Sequence, residues 1–168
     1  EIADIEKKAY ELGVKSHYTS RVADKYYSEC IKYLIFGNVL KNNTYPLSVS
    51  AERIFQAVAV AEYAKSVGAN AIAHGSTGAG NDQVRFDMAF RIIVPDAEII
   101  TPIRDLKLSR EAEIEFLKAK GVVREWHKST YSINQGLWGT SVGGKETLNS
   151  WDNLPEEAFP TQVSKTEP

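Results

Sequence analysis

The sequence predicts an α/β fold in which a parallel sheet is flanked by helices. Two short apolar stretches, 71–73 and 98–102, have the composition of buried strands. Apolar side chains recur every three or four residues in the segments around them, which indicates amphipathic helices. An alternation of strands and helices favours a parallel sheet, and in such folds ligands bind beyond the carboxyl ends of the strands.

Composition limits the class of protein before any motif is considered. The 168 residues are 43% hydrophobic, which is enough for one ordinary core. The 20 basic and 22 acidic side chains nearly cancel and form no basic block, which argues against a nucleic-acid partner. The single cysteine, Cys30, excludes an internal disulfide, and no apolar run approaches the roughly 18 residues of a membrane span. We therefore expect a cytoplasmic protein without membrane contact.

Helical periodicity begins at the first residue and returns twice in the first half of the chain. We predict helices over 1–13, 21–36 and 51–67, a short strand over 14–19 and a loop over 37–46. The first helix has no capping residue ahead of it, so we expect the chain to begin partway through a larger protein. Cys30 lies on the apolar face of the second helix, where packing is favoured over a reactive thiol.

The second half begins with the strand 71–73, whose apolar composition predicts burial on both faces. Apolar residues on several sides of the segment 84–93 predict a mostly buried helix that ends before the following proline. Ser109 is expected to cap a further helix that ends before Gly121. The remaining sequence is rich in turn residues, and its prolines predict an extended tail from 153 onward.

Between the strand 71–73 and the next helix lies the stretch HGSTGAGNDQVRF, residues 74–86. A glycine-rich turn at the start of a helix presents backbone N–H groups and a positive dipole end, which suits a phosphate. The stretch lacks the Lys and Ser/Thr of the Walker pattern and the third glycine of the dinucleotide fingerprint. From the motif alone, an anion site and an ordinary strand-to-helix turn both stay open.

Three polar side chains within one helical turn favour a ligand over a bare turn. Asn81, Asp82 and Arg85 offer an amide, an anion and a bidentate cation, and this combination suits an amino acid. The Asp82 carboxylate can accept from an ammonium group, while the Arg85 guanidinium can bind a carboxylate. In the alternative interpretation, Asp82 only favours the start of the helix and Arg85 only neutralises it.

The stretch from His74 to Phe86 resembles the signature of argininosuccinate synthase, the ligase that joins citrulline to aspartate at the expense of ATP. The resemblance covers most of residues 1–150, is closest to the bacterial type, and continues through 100–104, 108–111, 131–134 and 137–141. It implies an adenine nucleotide alpha hydrolase-like fold, of the N-type ATP pyrophosphatase class, that is incomplete here at both ends.

The resemblance also implies which residues bind each substrate. The segment against ATP comprises His74, Gly75, Ser76, Thr77, Gly78 and Gly80. The residues that match aspartate contacts are Thr77, Asn81 and Asp82. Those that match the citrulline side are Tyr45, Ser50, Asn81, Arg85, Ser132 and Ser141. No catalytic residue and no metal ligand is assigned. Alternatively, Tyr45 is a loop aromatic, and Ser132 and Ser141 are turn residues.

The implied reaction depends on ATP because a ureido oxygen is a poor leaving group. By resemblance, this oxygen attacks the α-phosphorus, pyrophosphate leaves, and the amine of aspartate then displaces AMP. Positioning and electrostatic stabilisation of the phosphoryl charge are the main sources of catalysis in such reactions, with Mg²⁺ expected on the phosphates.

The chain also departs from the family. Many members have a lysine at the position of Ala79, and a different, Gly-Thr-containing sequence between the equivalents of Tyr45 and Ser50; no pyrophosphate-binding Ser-Gly-Gly-x-Asp-Thr-Ser run occurs here. We therefore expect residues 1–150 to form a nucleotide- and amino-acid-binding domain that lacks its first strand and pyrophosphate loop. Residues 151–168 would be a tail that leads toward a missing C-terminal domain. On this interpretation the full-length protein is a homotetramer and the present chain is inactive alone.

Two rival functions stay open at this point. One is a non-catalytic module that binds citrulline or a nucleotide. The other is an ATP pyrophosphatase that shares the sheet but acts on tRNA or nucleotides, and the absence of a basic patch in the sequence argues against it.

Overall fold

The fold is known from a computed structural model that describes residues 2–43, 45–78, 80–123 and 131–159. The α-helices in these ranges are α1 (Ile2–Glu11), α2 (Ala23–Tyr26), α3 (Lys32–Phe36), α4 (Ser48–Ser66), α5 (Asp82–Ile93), α6 (Pro102–Asp105) and α7 (Arg110–Ala119). The strands are β1 (Leu40–Lys41), β2 (Tyr45–Pro46), β3 (Ala71–Ala73), β4 (Glu98–Ile100), β5 (Ser132–Gln135) and β6 (Thr140–Gly143).

Strands β3 and β4 pair in parallel, and α5 connects them as the crossover helix. Ile72 lies opposite Ile99 in this pair, and the His74 N–H extends the ladder by donating to the Ile100 carbonyl at 3.0 Å. Parallel neighbours need such a crossover, since a tight turn can join only antiparallel strands. The α/β class with a parallel sheet and adjacent helices is therefore confirmed.

The core lies where α4 crosses α5 and β3. Its buried members are Ala57, Ala61, Ala64, Ile72, Ala89 and Phe90. The three alanines recur every three or four residues on one face of α4, so this helix can approach its neighbours closely. The larger Phe90 side chain, 1% exposed, fills the space between the elements.

The predicted helix over 21–36 is present and contains a π-helical segment. Residues Tyr27–Ile31 are π-helical and join α2 to α3 without a break. Tyr26 and Ile31 are buried, and the Tyr26 ring packs on Phe55 of α4 with 4.9 Å between centroids. Cys30 is half-buried, and burial raises the pKa of its thiol, which disfavours the reactive thiolate.

Two predictions for the first half of the chain are wrong in detail. Residues 14–19 form no strand; Val14 and Tyr18 are exposed, and the Tyr18 ring stacks on Tyr63 of α4 with 4.2 Å between centroids. The predicted loop 37–46 contains the antiparallel pair β1–β2, in which Lys41 lies opposite Tyr45.

Two predictions of burial, on both faces for the strand 71–73 and over most of the helix 84–93, are also wrong. In β3 only Ile72 is buried, while both flanking alanines are exposed. In α5, Val84, Met88 and Ile92 are 59%, 50% and 72% exposed. These three residues share one face of the helix, because they are spaced four apart. Within the described ranges the parallel sheet has two strands, so packing covers only the opposite face of α5.

The C-terminal part begins with α7, which is capped as predicted: the Ser109 Oγ accepts from the Ala112 N–H at 3.2 Å. After residues 124–130, which lie outside the described ranges, β5 and β6 form an antiparallel hairpin. In the predicted tail, Glu156–Ala158 is a 3₁₀ turn, and residues 160–168 lie outside the described part of the chain. No helix within the described ranges combines the length and apolar character needed to cross a membrane.

Candidate functional site

The glycine-rich loop leads from the carboxyl end of β3 into the start of α5. The Gln83 side-chain amide donates to the carbonyls of Gly80 at 2.7 Å and Gly78 at 3.3 Å, so the helix holds the loop. Gly80 has a φ of +93°, a conformation in which residues with a Cβ are strained. Asn81 occupies the N-cap position without making a side-chain capping hydrogen bond. Its side-chain amide therefore does not cap α5.

A cavity of about 920 Å³ lies beside the start of α5. This volume is at the upper end of the range usual for small-molecule sites. The β1–β2 segment, α4, the glycine-rich loop with α5, and β5 all contribute to its wall. The lining residues are Lys41, Asn42, Leu47, Ser50, Arg53, Ser76, Thr77, Gly80, Asn81, Asp82, Gln83, Arg85 and Asn134.

Asp82 lies between two arginines in this wall. The Arg85 Nη1 atom is 2.9 Å from one carboxylate oxygen, and the Arg53 Nε atom is 3.6 Å from the other. With Lys41, the described part of the lining carries three cationic side chains against one carboxylate. The excess of positive charge favours ligands that carry carboxylates.

Beneath the loop, Asp87 joins the segments that follow both parallel strands. Its carboxylate accepts hydrogen bonds from His74 Nε2 at 3.0 Å and from Arg104 Nη1 at 2.9 Å. The His74 Nδ1 atom accepts the Ser76 N–H at 3.3 Å, so the proton of the neutral ring lies on Nε2. The ring packs against both Phe86 and the buried Phe90, at centroid distances of 5.5 and 5.9 Å.

The pKa of Asp87 follows from these contacts. Burial raises the pKa of this carboxyl group, but the hydrogen bonds from His74 and Arg104 and the guanidinium charge together lower it by more. The net pKa lies below its ordinary value, so Asp87 is ionised at neutral pH. A charged carboxylate is therefore available to orient His74 and Arg104.

The cavity wall contains about half of the residues that the sequence predicts for the site. Those that line it are Ser50, Ser76, Thr77, Gly80, Asn81, Asp82 and Arg85. Those outside the lining are His74, Gly75, Gly78, Ser132 and Ser141. Tyr45 belongs to β2, but its side chain lies outside the described part of the structure. The binding roles of all these residues stay predictions.

The hairpin register explains how Ser132 and Ser141 relate to the cavity. Ser141 lies directly opposite Asn134, and Ser132 precedes Asn134 by two positions. Side chains in both relationships lie on the same face of an antiparallel pair. Asn134 lines the cavity, so the two serines share the face of the hairpin that reaches it.

Sequence reasoning missed several residues of the site. Those in the wall are Lys41, Asn42, Leu47, Arg53, Gln83 and Asn134, and those beneath the loop are Asp87 and Arg104. Arg53 could have been found, because Ser50 immediately precedes the predicted helix 51–67, and a residue three positions later lies on the same face once the helix includes Ser50, as it does in the structure. Lys41 and Asn134 come from hairpins that no local pattern connects to the glycine-rich stretch.

Comparisons with known proteins show the family of the chain. The model of the arginosuccinate synthase N-terminal HUP domain matches residues 1–123. The argininosuccinate synthase of Sulfurisphaera tokodaii is 44% identical over 93% of this chain, and that of Methanocaldococcus jannaschii is 43% identical over 95%. The argininosuccinate synthase of Sulfolobus acidocaldarius is 43% identical over 92%. The chain spans about 40% of the length of each of these relatives. It belongs to the argininosuccinate synthase family.

Proposed function

We propose that the chain supplies the amino-acid-binding part of an argininosuccinate synthase. The whole protein that contains it would ligate citrulline and aspartate with ATP and release AMP and pyrophosphate. The observation that carries this proposal is the convergence of the predicted substrate residues on one cavity, where Ser50, Thr77, Asn81, Asp82 and Arg85 all contribute to the wall.

The proposed division of the cavity follows its chemistry. Aspartate would bind at the start of α5, where Thr77, Asn81 and Asp82 offer a hydroxyl, an amide and a carboxylate. Citrulline would bind toward Ser50 and the hairpin, with its carboxylate on the Arg85 guanidinium. Tyr45, Ser132 and Ser141 are the further proposed contacts on the citrulline side. Holding both amino acids in one cavity would place the attacking amine near the activated ureido carbon.

ATP is proposed to lie along the glycine-rich loop, with its phosphates at the backbone N–H groups before α5. The contacts proposed for it are His74, Gly75, Ser76, Thr77, Gly78 and Gly80. In the described ranges, no three His, Cys, Asp or Glu side chains gather to hold a metal ion. Mg²⁺ therefore enters the proposal only as the counter-ion of the ATP phosphates, and no step is assigned to it.

Further parts of the proposal concern the whole protein. We propose a cytoplasmic homotetramer, with residues 1–150 as a binding domain and 151–168 as a tail toward a C-terminal domain. The bacterial type also stays a prediction, since the relatives named above are archaeal.

The direct test is calorimetric titration of the 168-residue chain with L-aspartate, L-citrulline and ATP. We expect both amino acids to bind, and Arg85→Gln to weaken citrulline binding about tenfold, the effect of one charge-assisted contact. Arg91→Gln, an exposed arginine on the same helix, is the matched control and should bind as the wild type does. Binding of neither amino acid would overturn the proposal. Binding of ATP without either amino acid would instead favour a nucleotide-specific pyrophosphatase.

A further inference from the structure

Glu52, in the first turns of α4, contacts the turn of the β5–β6 hairpin 85 positions later in the chain. Its Oε2 atom accepts the backbone N–H of Leu137 at 3.2 Å, and its Oε1 atom accepts from the Gln56 side-chain amide at 3.3 Å. Both oxygens of one half-buried carboxylate are thus used. A carboxylate that accepts a backbone N–H makes a stronger hydrogen bond than a neutral acceptor does.

The hairpin turn is shaped to receive this carboxylate. A Cβ atom at Gly136 would lie 2.5 Å from Glu52 Oε2, so the end of the Glu52 side chain would have to move away from its present position if residue 136 carried a Cβ. The Gly136 N–H donates to the Gly139 carbonyl at 3.0 Å, and Gly139 has a φ of +105°. The two glycines therefore shape the turn that contacts Glu52: Gly136 lies beside the carboxylate, and Gly139 adopts the positive φ.

The same hairpin contributes Asn134 to the cavity wall, and Ser132 and Ser141 lie on the face of the hairpin that carries Asn134. The turn lies one residue beyond the end of β5, so its attachment to α4 fixes where this face lies. The aspartate side of the cavity is built differently, by α5 and the glycine-rich loop. A shift of the hairpin would therefore change one side of the cavity and leave the other.

We propose that Glu52 is a positioning residue that docks the β5–β6 hairpin on α4 and so holds Ser132, Asn134 and Ser141 at the citrulline side of the cavity. The inference rests on the proposed function. Glu52 touches no substrate in this account. It acts through the Leu137 amide, and its loss reduces affinity for citrulline while affinity for aspartate is kept.

The test compares Glu52→Ala, Glu52→Gln and Gly136→Ala with a matched control. Glu62→Ala is that control, because Glu62 lies on the same helix and pairs only at the surface with Lys25, at 3.5 Å. Calorimetry should give a citrulline affinity about tenfold lower for Glu52→Ala and an aspartate affinity within about twofold of the wild type. Glu52→Gln keeps one acceptor oxygen, so its citrulline affinity should lie between that of the wild type and that of Glu52→Ala. Gly136→Ala keeps the acid and displaces it, which tests docking without removing a charge.

Hydrogen–deuterium exchange measures the docking directly. Exchange in residues 131–143 should rise in Glu52→Ala and Gly136→Ala, while exchange in α4 and α5 stays as in the wild type. Unchanged exchange in the hairpin, or equal losses of citrulline and aspartate affinity, would overturn the inference. A wild-type chain that binds neither amino acid would overturn the proposed function instead, and the exchange data would still decide whether Glu52 docks the hairpin.

Discussion

Asp87 accepts hydrogen bonds from two side chains that belong to different segments of the chain. It accepts from His74 at 3.0 Å and from Arg104 at 2.9 Å, and it thereby ties the loop after β3 to the segment after β4. We expect Asp87→Asn to lower the free energy of unfolding by about 1–3 kcal/mol, because an amide replaces a charged acceptor between two donors. Urea denaturation at pH 7 measures this, with the exposed Asp96→Asn as the control.

The contribution of Asp87 to the free energy of unfolding should decrease at low pH. Its pKa is lower in the folded chain than in the unfolded one, so the stabilisation is complete above the ordinary pKa of about 3.9. It is lost as pH falls through the lower, folded value. The difference in unfolding free energy between the wild type and Asp87→Asn should therefore shrink below about pH 4. A difference that stays constant down to pH 3 would contradict the assignment.

Arg53 should make the affinity of the cavity depend on the charge of the ligand. Among the described residues it is one of three cations in the cavity wall. Its Nη1 atom donates to Gln56 Oε1 at 2.9 Å, and its Nε atom lies 3.6 Å from Asp82 Oδ2. In Arg53→Gln we expect aspartate affinity to fall about tenfold while asparagine affinity is little changed, since only aspartate carries the second carboxylate. Calorimetry at low and high salt measures both ligands, and the loss should be smaller at high salt. Equal losses for the two ligands would point to a change of shape instead.

At the scale of elements, local sequence patterns predicted the helices but not which of their faces are buried. The helices at 21–36 and 84–93 are present because their apolar spacing matches the helical period, and the helix at 51–67 is present because alanine is a strong helix former. The burial of α5 was overestimated, since composition counts apolar residues without showing which face has a neighbour. The β5–β6 hairpin was missed because its strands are four residues long and hold one large apolar residue each, Ile133 and Val142, which is too few to give a strand pattern.

The candidate site divides in the same way. Asn81, Asp82 and Arg85 were predictable as a group because they are close in sequence on one helix, and all three line the cavity. Lys41 and Asn134 reach the cavity from separate hairpins, so only the tertiary structure connects them to it. The sequence therefore predicts the part of a site that one element carries, and it misses the part that several elements assemble.

The two faces of α5 should differ strongly in their effect on stability. Phe90 is 1% exposed within the core, whereas Ile92 is 72% exposed on the other face. We expect Phe90→Ala to cost about 3–5 kcal/mol of unfolding free energy, since it removes a large buried side chain and leaves a cavity. Ile92→Ala should cost less than about 0.5 kcal/mol, as exposed substitutions do. Urea denaturation of both variants measures the contrast, and similar costs would mean that both faces of α5 are covered in solution.

At the scale of the whole molecule, stability should be concentrated where α4, α5 and β3 meet. The buried residues of the core come from these three elements, whereas α1 has no buried residue although Ile2 and Ile5 give it an apolar face. Amide exchange should therefore be slowest in α4, β3 and α5 and fastest in α1, because local opening is cheapest where few apolar contacts are lost.

Native-state hydrogen exchange resolved by segment tests this order, and Phe90→Ala supplies its internal control. Removing the ring should accelerate exchange in α4 and β3 as well as in α5, since the three elements share the contacts of Phe90 and should open together. Exchange in α1 should be unaffected, because α1 contributes no buried residue to the core. Acceleration confined to α5 would mean that the elements open independently, and protection of α1 equal to that of α5 would place a second stabilising contact outside the core described above.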